Sequence, residues 1–415
     1  MSAQTSSSGL ARNTGRRLIE PLDALDLGDD GRLAIQLDAD GLAVVPMVRE
    51  HQGWRRAVPG DGVAEALLRL LADGPTTLGH FTIRSWVPRT ATDERGVGVD
   101  QTNESVIVGE AAVVKWATRL ADGPHPAPRR IGLLRDAGFA GMPTPWGLVT
   151  WRPRDGAETL VASVDEYLPG AVDGWTWAVD VITACALKRE GDPVIAAATA
   201  VGVLIAELHA ALASTETRAT QQDATRWQAT AMETLKTVCA LDDSPSVLTA
   251  RDRRDELEAV LDGLGGLAGT PVIEGHGDLH VGQILRTDTR FVVTDFDGNP
   301  VLTASERMLP IPAALDVAGL AQSLSHAAIV ARKYTDLDAA ALADVDAAGR
   351  AAFEHAYMDR LASLGHGGLY APGQLRAFRV QQVLREIIYA ARHLPRWMYV
   401  PDAALPALLD EGTRS

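Results

Sequence analysis

The chain has 415 residues, of which 46% are hydrophobic and 22% are charged, a composition typical of soluble globular proteins. Its 54 acidic and 39 basic residues give a formal net charge of −15, which argues against a nucleic-acid surface and an anionic membrane surface. This length predicts two or three domains, and the sequence leaves the oligomeric state open.

The first residues and the apolar stretches predict a cytoplasmic protein that does not enter a membrane. Residues 1–10 are polar and Ser-rich, without the apolar core of a secretory signal. The longest apolar stretch, 193–206, ends at Glu207, short of the roughly 20 residues that a membrane span needs, and predicts a buried helix. Cys185 and Cys239 lie far apart without metal-ligand spacing, and two buried thiols agree with a reducing compartment.

The N-terminal part reads as a small strand-rich subdomain that follows a disordered segment, 1–16. Short Val, Ile and Leu runs are broken by the pairs Asp30-Gly31 and Asp40-Gly41, which are hairpin signals. Residues 63–71 have helical apolar spacing. Residues 1–85 are therefore predicted to form a cap of their own.

A β-rich segment and a helical segment follow the cap. Residues 86–169 carry four predicted strands, at 105–108, 112–116, 148–151 and 160–164, and a predicted helix at 126–137. Residues 170–415 carry seven predicted helices, at 175–189, 193–213, 222–239, 246–263, 313–332, 337–364 and 374–393. The hairpin 283–285 with 291–294 is the one strand-like segment expected there. A β-rich lobe before an α-rich lobe is the arrangement of kinases, which bind their ligands between the lobes.

The stretch from Glu274 to Gln283 and the hairpin after it carry the strongest chemical signal. Asp278 has a His two positions before it and the amide Gln283 five positions after it, and Asp295 lies twelve positions beyond that amide. Phosphoryl transfer needs a carboxylate that aligns the attacking hydroxyl and takes its proton, together with oxygen ligands for magnesium. The spacing therefore predicts Asp278 as the base and Gln283 and Asp295 as Mg²⁺ ligands, with ATP as the co-substrate.

The same stretch allows two other interpretations. A lone His-Gly-Asp is more often a polar turn near a helix than a catalytic loop. His276, Asp278 and His280 could also ligate the metal of a hydrolase, but no further His or Glu cluster completes such a site. His276 is expected to brace the loop, and His280 either faces the substrate or packs.

Lys115 is the expected phosphate-binding cation of the N-terminal lobe. It lies near the end of the strand 112–116, where a kinase places the lysine that holds the α- and β-phosphates. A kinase normally pairs this lysine with a helix Glu, but the helix 126–137 contains none, and the partner of Lys115 stays unassigned. A hinge at 165–169 would present the backbone around Glu166 and Leu168 to adenine, although an ordinary strand-to-helix linker fits this segment about as well.

Taken with further motifs, the chain resembles the actinobacterial maltokinase-like branch of the aminoglycoside phosphotransferase superfamily, and most closely the glucosamine kinases of that branch. The resemblance covers nearly the whole chain and rests on the segments 45–49, 54–57, 59–62, 103–108, 114–116, 165–169, 173–175, 206–209, 276–285, 295–298, 316–319 and 396–397. It implies an α+β, bilobal protein-kinase-like fold. This fold would comprise an N-terminal cap (1–85), a β-rich N-lobe (86–169) and an α-helical C-lobe (170–415).

The resemblance also implies roles for individual residues. Lys115, Ser105, Glu166 and Leu168 would contact ATP, while Asp278 would act as base beside the magnesium ligands Gln283 and Asp295. The segment 295–300 reads Asp-Phe-Asp-Gly-Asn-Pro, as in glucosamine kinases, where maltokinases tend to read Asp-Phe-Glu-Gly-Glu-Pro. In the C-terminal helix Ala390 follows Tyr389, a departure from the Tyr-Glu pair of maltokinases. These differences favour an acceptor other than maltose.

An amino sugar carries an ammonium group that nearby carboxylates would attract through charge-assisted hydrogen bonds. Asp297, Asp316 and Glu386 are the candidate acids, beside Asp278 and His280. Each has an alternative: Asp297 could be a second metal ligand, Asp316 could brace the catalytic loop, and Glu386 could be a solvated helix acid. Trp175, Tyr389 and Trp397 could stack on a sugar ring, but core packing fits any one of them as well.

The expected function is therefore ATP-dependent phosphorylation of glucosamine to glucosamine 6-phosphate. A maltokinase and another aminosugar or aminoglycoside phosphotransferase are the alternatives within the class. A nucleotide-binding pseudokinase is the alternative from another class; the missing helix Glu supports it, and the intact set of Asp278, Gln283 and Asp295 argues against it.

Overall fold

The computed structural model describes residues 20–39, 41–51, 53–97, 104–120 and 123–411, so the expected disorder of residues 1–16 and Asp40 of the second hairpin turn lie outside the described residues. The chain divides into two compact units. Unit 1 comprises Met1–Asp122 and Trp146–Val164, and unit 2 comprises Gly123–Pro145 and Asp165–Ser415.

Unit 1 contains two sheets and one helix, α1 (Val63–Ala72). The first sheet has the order β1-β2-β3-β4, with β1 (Asp23–Asp26), β2 (Gly31–Asp38), β3 (Gly41–Glu50) and β4 (Gly53–Arg56). The second has the order β5-β6-β10-β11-β9-β8-β7, with β5 (Thr76–Leu78), β6 (Phe81–Ser85), β7 (Glu94–Gly96), β8 (Glu104–Val108), β9 (Ala112–Trp116), β10 (Pro145–Trp151) and β11 (Thr159–Glu166).

One hydrophobic core connects both sheets of unit 1 through α1. Leu67, Leu68 and Leu71 of α1 are almost fully buried, and they belong to one cluster with side chains of both sheets. Residues of the predicted cap therefore share a core with residues of the predicted N-lobe. The domain boundaries near residues 85 and 169 remain a proposal.

Unit 2 contains eleven helices among the described residues. They are α2 (Ala127–Asp136), α3 (Gly174–Lys188), α4 (Asp192–Leu212), α5 (Gln221–Cys239), α6 (Pro245–Asp252), α7 (Arg254–Asp262), α8 (Ala304–Arg307), α9 (Ala313–Tyr334), α10 (Ala339–Ser363), α11 (Leu375–His393) and α12 (Tyr399–Glu411). Two short antiparallel pairs accompany them: β12 (Thr217–Arg218) with β13 (Pro271–Val272), and β14 (Ile284–Arg286) with β15 (Phe291–Val293).

Three details of unit 2 differ from the sequence-based expectation. The helix expected at 246–263 is two helices, because the backbone of Arg253 leaves the helical region while its side chain binds Asp410 and Glu256. The pair β12–β13 shows that the hairpin of β14 and β15 is not the only strand pairing in the helical part. Helices α8 and α12 were not expected, and Pro406 lies inside α12.

Two helices are long and apolar enough to cross a membrane by length and composition, within 192–215 and 313–334. Both pack inside unit 2: α4 lies along α10, and α9 contacts α3 and α11. Helix α9 also buries the polar side chains of Asp316, Gln322, Ser323 and His326. These contacts are those of core helices, as expected for the stretch 193–206.

Candidate active site

The predicted catalytic loop runs from Gly275 to His280, between β13 and a short 3-10 turn at Val281–Gln283. Its His276 is fully buried. The ring Nε2 lies 2.9 Å from the carbonyl oxygen of Thr294, so Nε2 donates, and Nδ1 accepts from the backbone N–H of Asp278 at 3.4 Å. His276 thus connects the loop to the residue before Asp295, in agreement with the expected bracing role.

Asp316 of α9 holds this loop through hydrogen bonds to the loop backbone. Its side chain has no solvent exposure, and its two oxygens accept the backbone N–H groups of His276 at 2.7 Å and Gly277 at 2.8 Å. His209 Nε2 lies 3.3 Å from the same carboxylate. Burial acts to raise the pKa of Asp316, but the hydrogen bond and charge of His209 and the N–H of Gly277 lower it on balance. Because the Asp316 side chain is fully buried and its oxygens hold the loop, the structure favours the bracing alternative for Asp316 over a contact with the sugar.

Helix α9 holds the loop at further points on the same face. Gly319, three residues after Asp316, lets the helix approach so closely that an added Cβ would lie 2.3 Å from the carbonyl oxygen of Leu279. One turn later, the Ser323 hydroxyl accepts the backbone N–H of Val281 at 2.8 Å. Residues spaced by three and four lie on one helix face, so α9 supports the loop along its length.

We expect Gly319→Ala to disturb this contact. The added methyl group must displace the backbone of Leu279, which would cost about 1–3 kcal/mol of unfolding free energy and shift the neighbouring Asp278 enough to lower turnover about 10²-fold. Denaturant unfolding and steady-state kinetics measure both effects. Gly132→Ala in α2 is the matched control, because an added Cβ there meets nothing within 4 Å. Equal behaviour of the two variants would contradict the role assigned to Gly319.

Gln283 and Asp295 lie side by side across the β14–β15 hairpin. The backbone N–H of Thr294 donates to the carbonyl of Gln283 at 2.9 Å, and the side-chain Nε2 of Gln283 lies 3.2 Å from Asp295 Oδ2. Asp295 is solvent-exposed, and its φ of 66° directs the chain sharply away from β15. The amide nitrogen of Gln283 faces Asp295 here, and with the amide turned so that Oε1 faces the carboxylate, the two side chains could hold Mg²⁺. This ion takes few protein oxygens and completes its shell with phosphates and water.

No group of three or more His, Cys, Asp or Glu side chains is arranged to hold a metal ion anywhere in the described ranges. The hydrolase interpretation needs such a group around His276, whose ring nitrogens instead contact Thr294 and Asp278. Gln283 and Asp295 offer only two side-chain oxygens, so a metal ion there would need phosphates to complete its shell. This arrangement is typical of a kinase and not of a closed zinc site.

Arg130 of α2 joins the catalytic loop to the segment after β15. Its buried guanidinium donates to three backbone carbonyls, those of His276 at 2.8 Å, Phe296 at 3.0 Å and Arg307 at 2.9 Å. Asp297, about a third exposed, lies 3.9 Å from Nε2 of His125. Burial, with the charges of Arg307 and Arg130, lowers the pKa of His125 to about 4, so this histidine is neutral at pH 7 and adds no positive charge beside Asp297.

A second group of side chains gathers around His280. Its ring stacks on Trp175 at 6.2 Å between centroids, and Trp175 meets Trp397 edge to face at 5.5 Å. Burial lowers the pKa of His280, and the charges of Asp278, Glu386 and Asp295 act in the opposite direction. Tyr389, by contrast, is half exposed and packs on His393.

Glu386 of α11 is held by two neighbours. Gln382 Nε2 donates to its Oε1 at 2.9 Å, and Nδ1 of the fully buried His326 lies 3.0 Å from its Oε2. Burial acts to raise the pKa of Glu386, but the charge and hydrogen bond of His326 and the amide of Gln382 lower it on balance. Glu386 is thus an ionised acid with 21% of its side chain accessible, and because its Oε2 is buried, a contact with a ligand would use Oε1.

The predicted nucleotide residues fall into two pairs. In unit 1, Ser105 and Lys115 are directly opposite each other in the β8–β9 pairing, on the face of β9 away from buried Val114 and Trp116. Lys115 makes no hydrogen bond or ion pair with any of the residues that the structure describes. In unit 2, Glu166 accepts the backbone N–H and hydroxyl of Thr144 at 3.2 and 2.8 Å, and Leu168 is half-buried just beyond it.

Comparison with known proteins identifies the family. A glucosamine kinase of Mycolicibacterium smegmatis is 63% identical over 396 residues, which cover 94% of this chain and 99% of that protein. The chain belongs to the glucosamine kinase family. A second glucosamine kinase, of Streptacidiphilus jiangxiensis, is 45% identical over 94% of this chain and 91% of that one. No family model matches the chain.

Solved structures of glucosamine kinases have the same fold. One, described as a complex with glucosamine, ADP and inorganic phosphate, has a TM-score of 0.84 at 41% identity and covers 95% of both chains. Another crystal form has a TM-score of 0.85 at 42% identity, covering 94% of this chain and 93% of that one. The predicted α+β, protein-kinase-like fold class and the resemblance to glucosamine kinases are confirmed.

Sequence reasoning missed several residues of this glucosamine kinase family site. Arg385, beside Glu386, has a pKa lowered by burial and raised less strongly by the charges of Asp278 and Glu386. Arg130 and His326 were also overlooked. Buried charged or titratable residues on otherwise apolar helix faces were the only available signal, and that signal does not name a partner.

Proposed function

We propose that this chain phosphorylates the 6-hydroxyl of glucosamine with ATP, giving glucosamine 6-phosphate and ADP. The observation that carries the proposal is the close approach of Gln283 and Asp295 on the hairpin that follows the Asp278 loop. Gln283 Nε2 lies 3.2 Å from Asp295 Oδ2. The two similar proteins of Mycolicibacterium smegmatis and Streptacidiphilus jiangxiensis, both glucosamine kinases, support the choice of glucosamine as acceptor.

The Asp278 carboxylate is assigned to the attacking hydroxyl. It accepts the hydrogen bond of that hydroxyl, orients the oxygen toward the γ-phosphorus, and takes the proton as the new O–P bond forms and ADP leaves. The loop is held for this task by three groups: the His276 ring, the Asp316 carboxylate and the Ser323 hydroxyl. A base fixed in this way loses little orientation free energy at the moment of reaction.

Gln283 and Asp295 would hold Mg²⁺ through the amide Oε1 and the carboxylate. When bound, the ion supplies positive charge to the phosphate oxygens of ATP. Lys115 and Ser105 are assigned to the phosphates, and the backbone around Glu166 and Leu168 to adenine. A cytoplasmic location agrees with the two free cysteines, of which Cys185 is buried and Cys239 only half-buried.

Glu386 is assigned to the ammonium group of the sugar. It is ionised and partly accessible, and its charge acts on His280 and Arg385, on which the charge of Asp278 acts as well. A charge-assisted hydrogen bond to an ammonium is roughly twice as strong as a neutral one. His280 and Asp297 are the further candidates for sugar contacts, while Trp175 and Trp397 form an aromatic wall beside His280.

A coupled ADP-release assay tests the proposal. We expect Mg²⁺-dependent turnover of glucosamine, weak turnover of glucose, and none of maltose or an aminoglycoside. Chelation of Mg²⁺ should abolish the signal, and Glu386→Gln should raise KM for glucosamine about tenfold to hundredfold with a smaller effect on glucose. Strong turnover of maltose without glucosamine would overturn the acceptor, and ATP binding without transfer to any acceptor would indicate a pseudokinase.

A further inference from the structure

A series of polar side chains in contact, buried between its two ends, connects Glu411 at the end of α12 to Glu386, the acid assigned to the acceptor. Glu411 binds Arg379 NH1 at 2.7 Å, and Arg379 Nε donates to Gln322 Oε1 at 3.1 Å. Gln322 Nε2 lies 3.0 Å from His326 Nε2, and His326 Nδ1 lies 3.0 Å from Glu386 Oε2. Arg379, Gln322 and His326 are all buried, so each polar atom in the chain must use the neighbour it has.

The chemistry of these groups allows one assignment of protons. Arg379 is always protonated and only donates, so the atom of Gln322 facing it is the amide oxygen. The amide nitrogen of Gln322 therefore faces His326 and donates, which requires His326 Nε2 to be the bare, accepting nitrogen. A neutral imidazole then carries its proton on Nδ1, the nitrogen that lies 3.0 Å from Glu386 Oε2. The reverse orientation of the amide would bring two donors together at Arg379.

We propose that His326 is a positioning residue for acceptor recognition: Arg379 and Gln322 hold it as the Nδ1–H tautomer, and that N–H orients the Glu386 carboxylate toward the amino group of the sugar. The inference rests on the proposed function of Glu386. His326 Nδ1 and Glu386 Oε2 are both buried and make no hydrogen bond to any other group in the parts of the chain that the structure describes, and they lie 3.0 Å from each other. The other oxygen of Glu386, Oε1, accepts from Gln382 and keeps a second lone pair for the amino group of the sugar. Loss of the imidazole would therefore leave the carboxylate free to turn from the sugar.

Helix α9 contacts both the loop that carries Asp278 and the side chains that hold Glu386. Asp316, Gly319 and Ser323 of this helix support the base loop, and Gln322 and His326, one turn apart on the adjacent face, support the acceptor acid. One rigid element thus sets the base and the amino-group contact relative to each other. A sugar bound by both would present its hydroxyl at a defined place.

Paired variants of His326 test the proposal. His326→Asn places an amide N–H where Nδ1–H stood, whereas His326→Leu removes the donor at similar volume. We expect His326→Leu to raise KM for glucosamine about tenfold to hundredfold, the loss expected for a hydrogen bond to a charged group. The KM for glucose and kcat should change little, and His326→Asn should restore most of the glucosamine KM. His355→Asn, at an exposed histidine of α10, is the control.

A spectroscopic measurement on the wild-type protein is independent of variant folding. Long-range ¹H–¹⁵N spectra of ¹⁵N-histidine-labelled protein, assigned with the His326→Asn variant, should show the Nδ1–H tautomer at neutral pH. An Nε2–H tautomer would overturn the inference. So would unchanged glucosamine KM in His326→Leu while Glu386→Gln impairs it. Failure of the wild-type enzyme to phosphorylate glucosamine would instead overturn the proposed function and leave the tautomer result standing.

Discussion

Asp278→Asn should lose about 10²- to 10⁴-fold in kcat, the usual contribution of a positioned general base. The amide keeps the size of the carboxylate, and the backbone contacts of the loop through His276 do not involve the side chain of Asp278. The variant should therefore fold normally and bind ATP with unchanged affinity. Steady-state ADP release and nucleotide titration separate these two properties.

A control for this variant lies in the same segment. Asp288→Asn removes a similar charge from the exposed turn between β14 and β15 and should leave turnover unchanged. Near-wild-type turnover of Asp278→Asn would remove Asp278 from the role of base. A loss of ATP affinity equal to the loss of kcat would instead indicate that Asp278 acts by holding the metal and nucleotide.

Asp316→Ala should destabilise the protein by about 3–5 kcal/mol, the range for removing one partner from a buried charged pair. The substitution leaves the N–H groups of His276 and Gly277 and the ring of His209 without their acceptor in a fully buried place. Turnover should fall as well, because the loop that carries Asp278 loses its main support. Denaturant unfolding followed by fluorescence measures the free energy.

Three comparisons make this prediction specific. Asp359→Ala removes an exposed acid of α10 and should cost almost nothing. If Asp316 contacted the sugar instead, its variants would raise the sugar KM without destabilising the fold. The pKa of Asp316 is lowered from its ordinary value of 3.8, so its contribution to stability is present above about pH 4 and is lost as the pH falls further. Asp316→Ala should therefore flatten the acid limb of the stability curve.

The local part of the site was predictable from sequence because it depends on short separations. Gln283 and Asp295 are twelve residues apart, and a tight antiparallel hairpin with Thr294 opposite Gln283 leaves their side chains adjacent. His276 and Asp278 share one loop, so their relation also follows from the local spacing. The same holds for most helices of unit 2, whose apolar periodicity located them to within a few residues.

The roles of the acids could not be separated in this way. Asp316 and Glu386 are both helix acids in an apolar sequence context, and both were candidates for the amino group. The structure places Asp316 against the loop with no solvent exposure, whereas 21% of the Glu386 side chain is accessible. The break at Arg253 has a similar origin, because its partner Asp410 is 157 residues away.

By itself, the sequence determined that this chain has kinase chemistry, since Asp278, Gln283 and Asp295 belong to one loop and one hairpin whose geometry local bonds enforce. Only the tertiary structure decided which side chains hold those groups still. Arg130 meets His276 across 146 residues, Asp316 meets Gly277 across 39, and Arg379 meets Gln322 across 57. Such partners are chosen by the packing of helices, because buried polar atoms must be paired wherever the fold brings them.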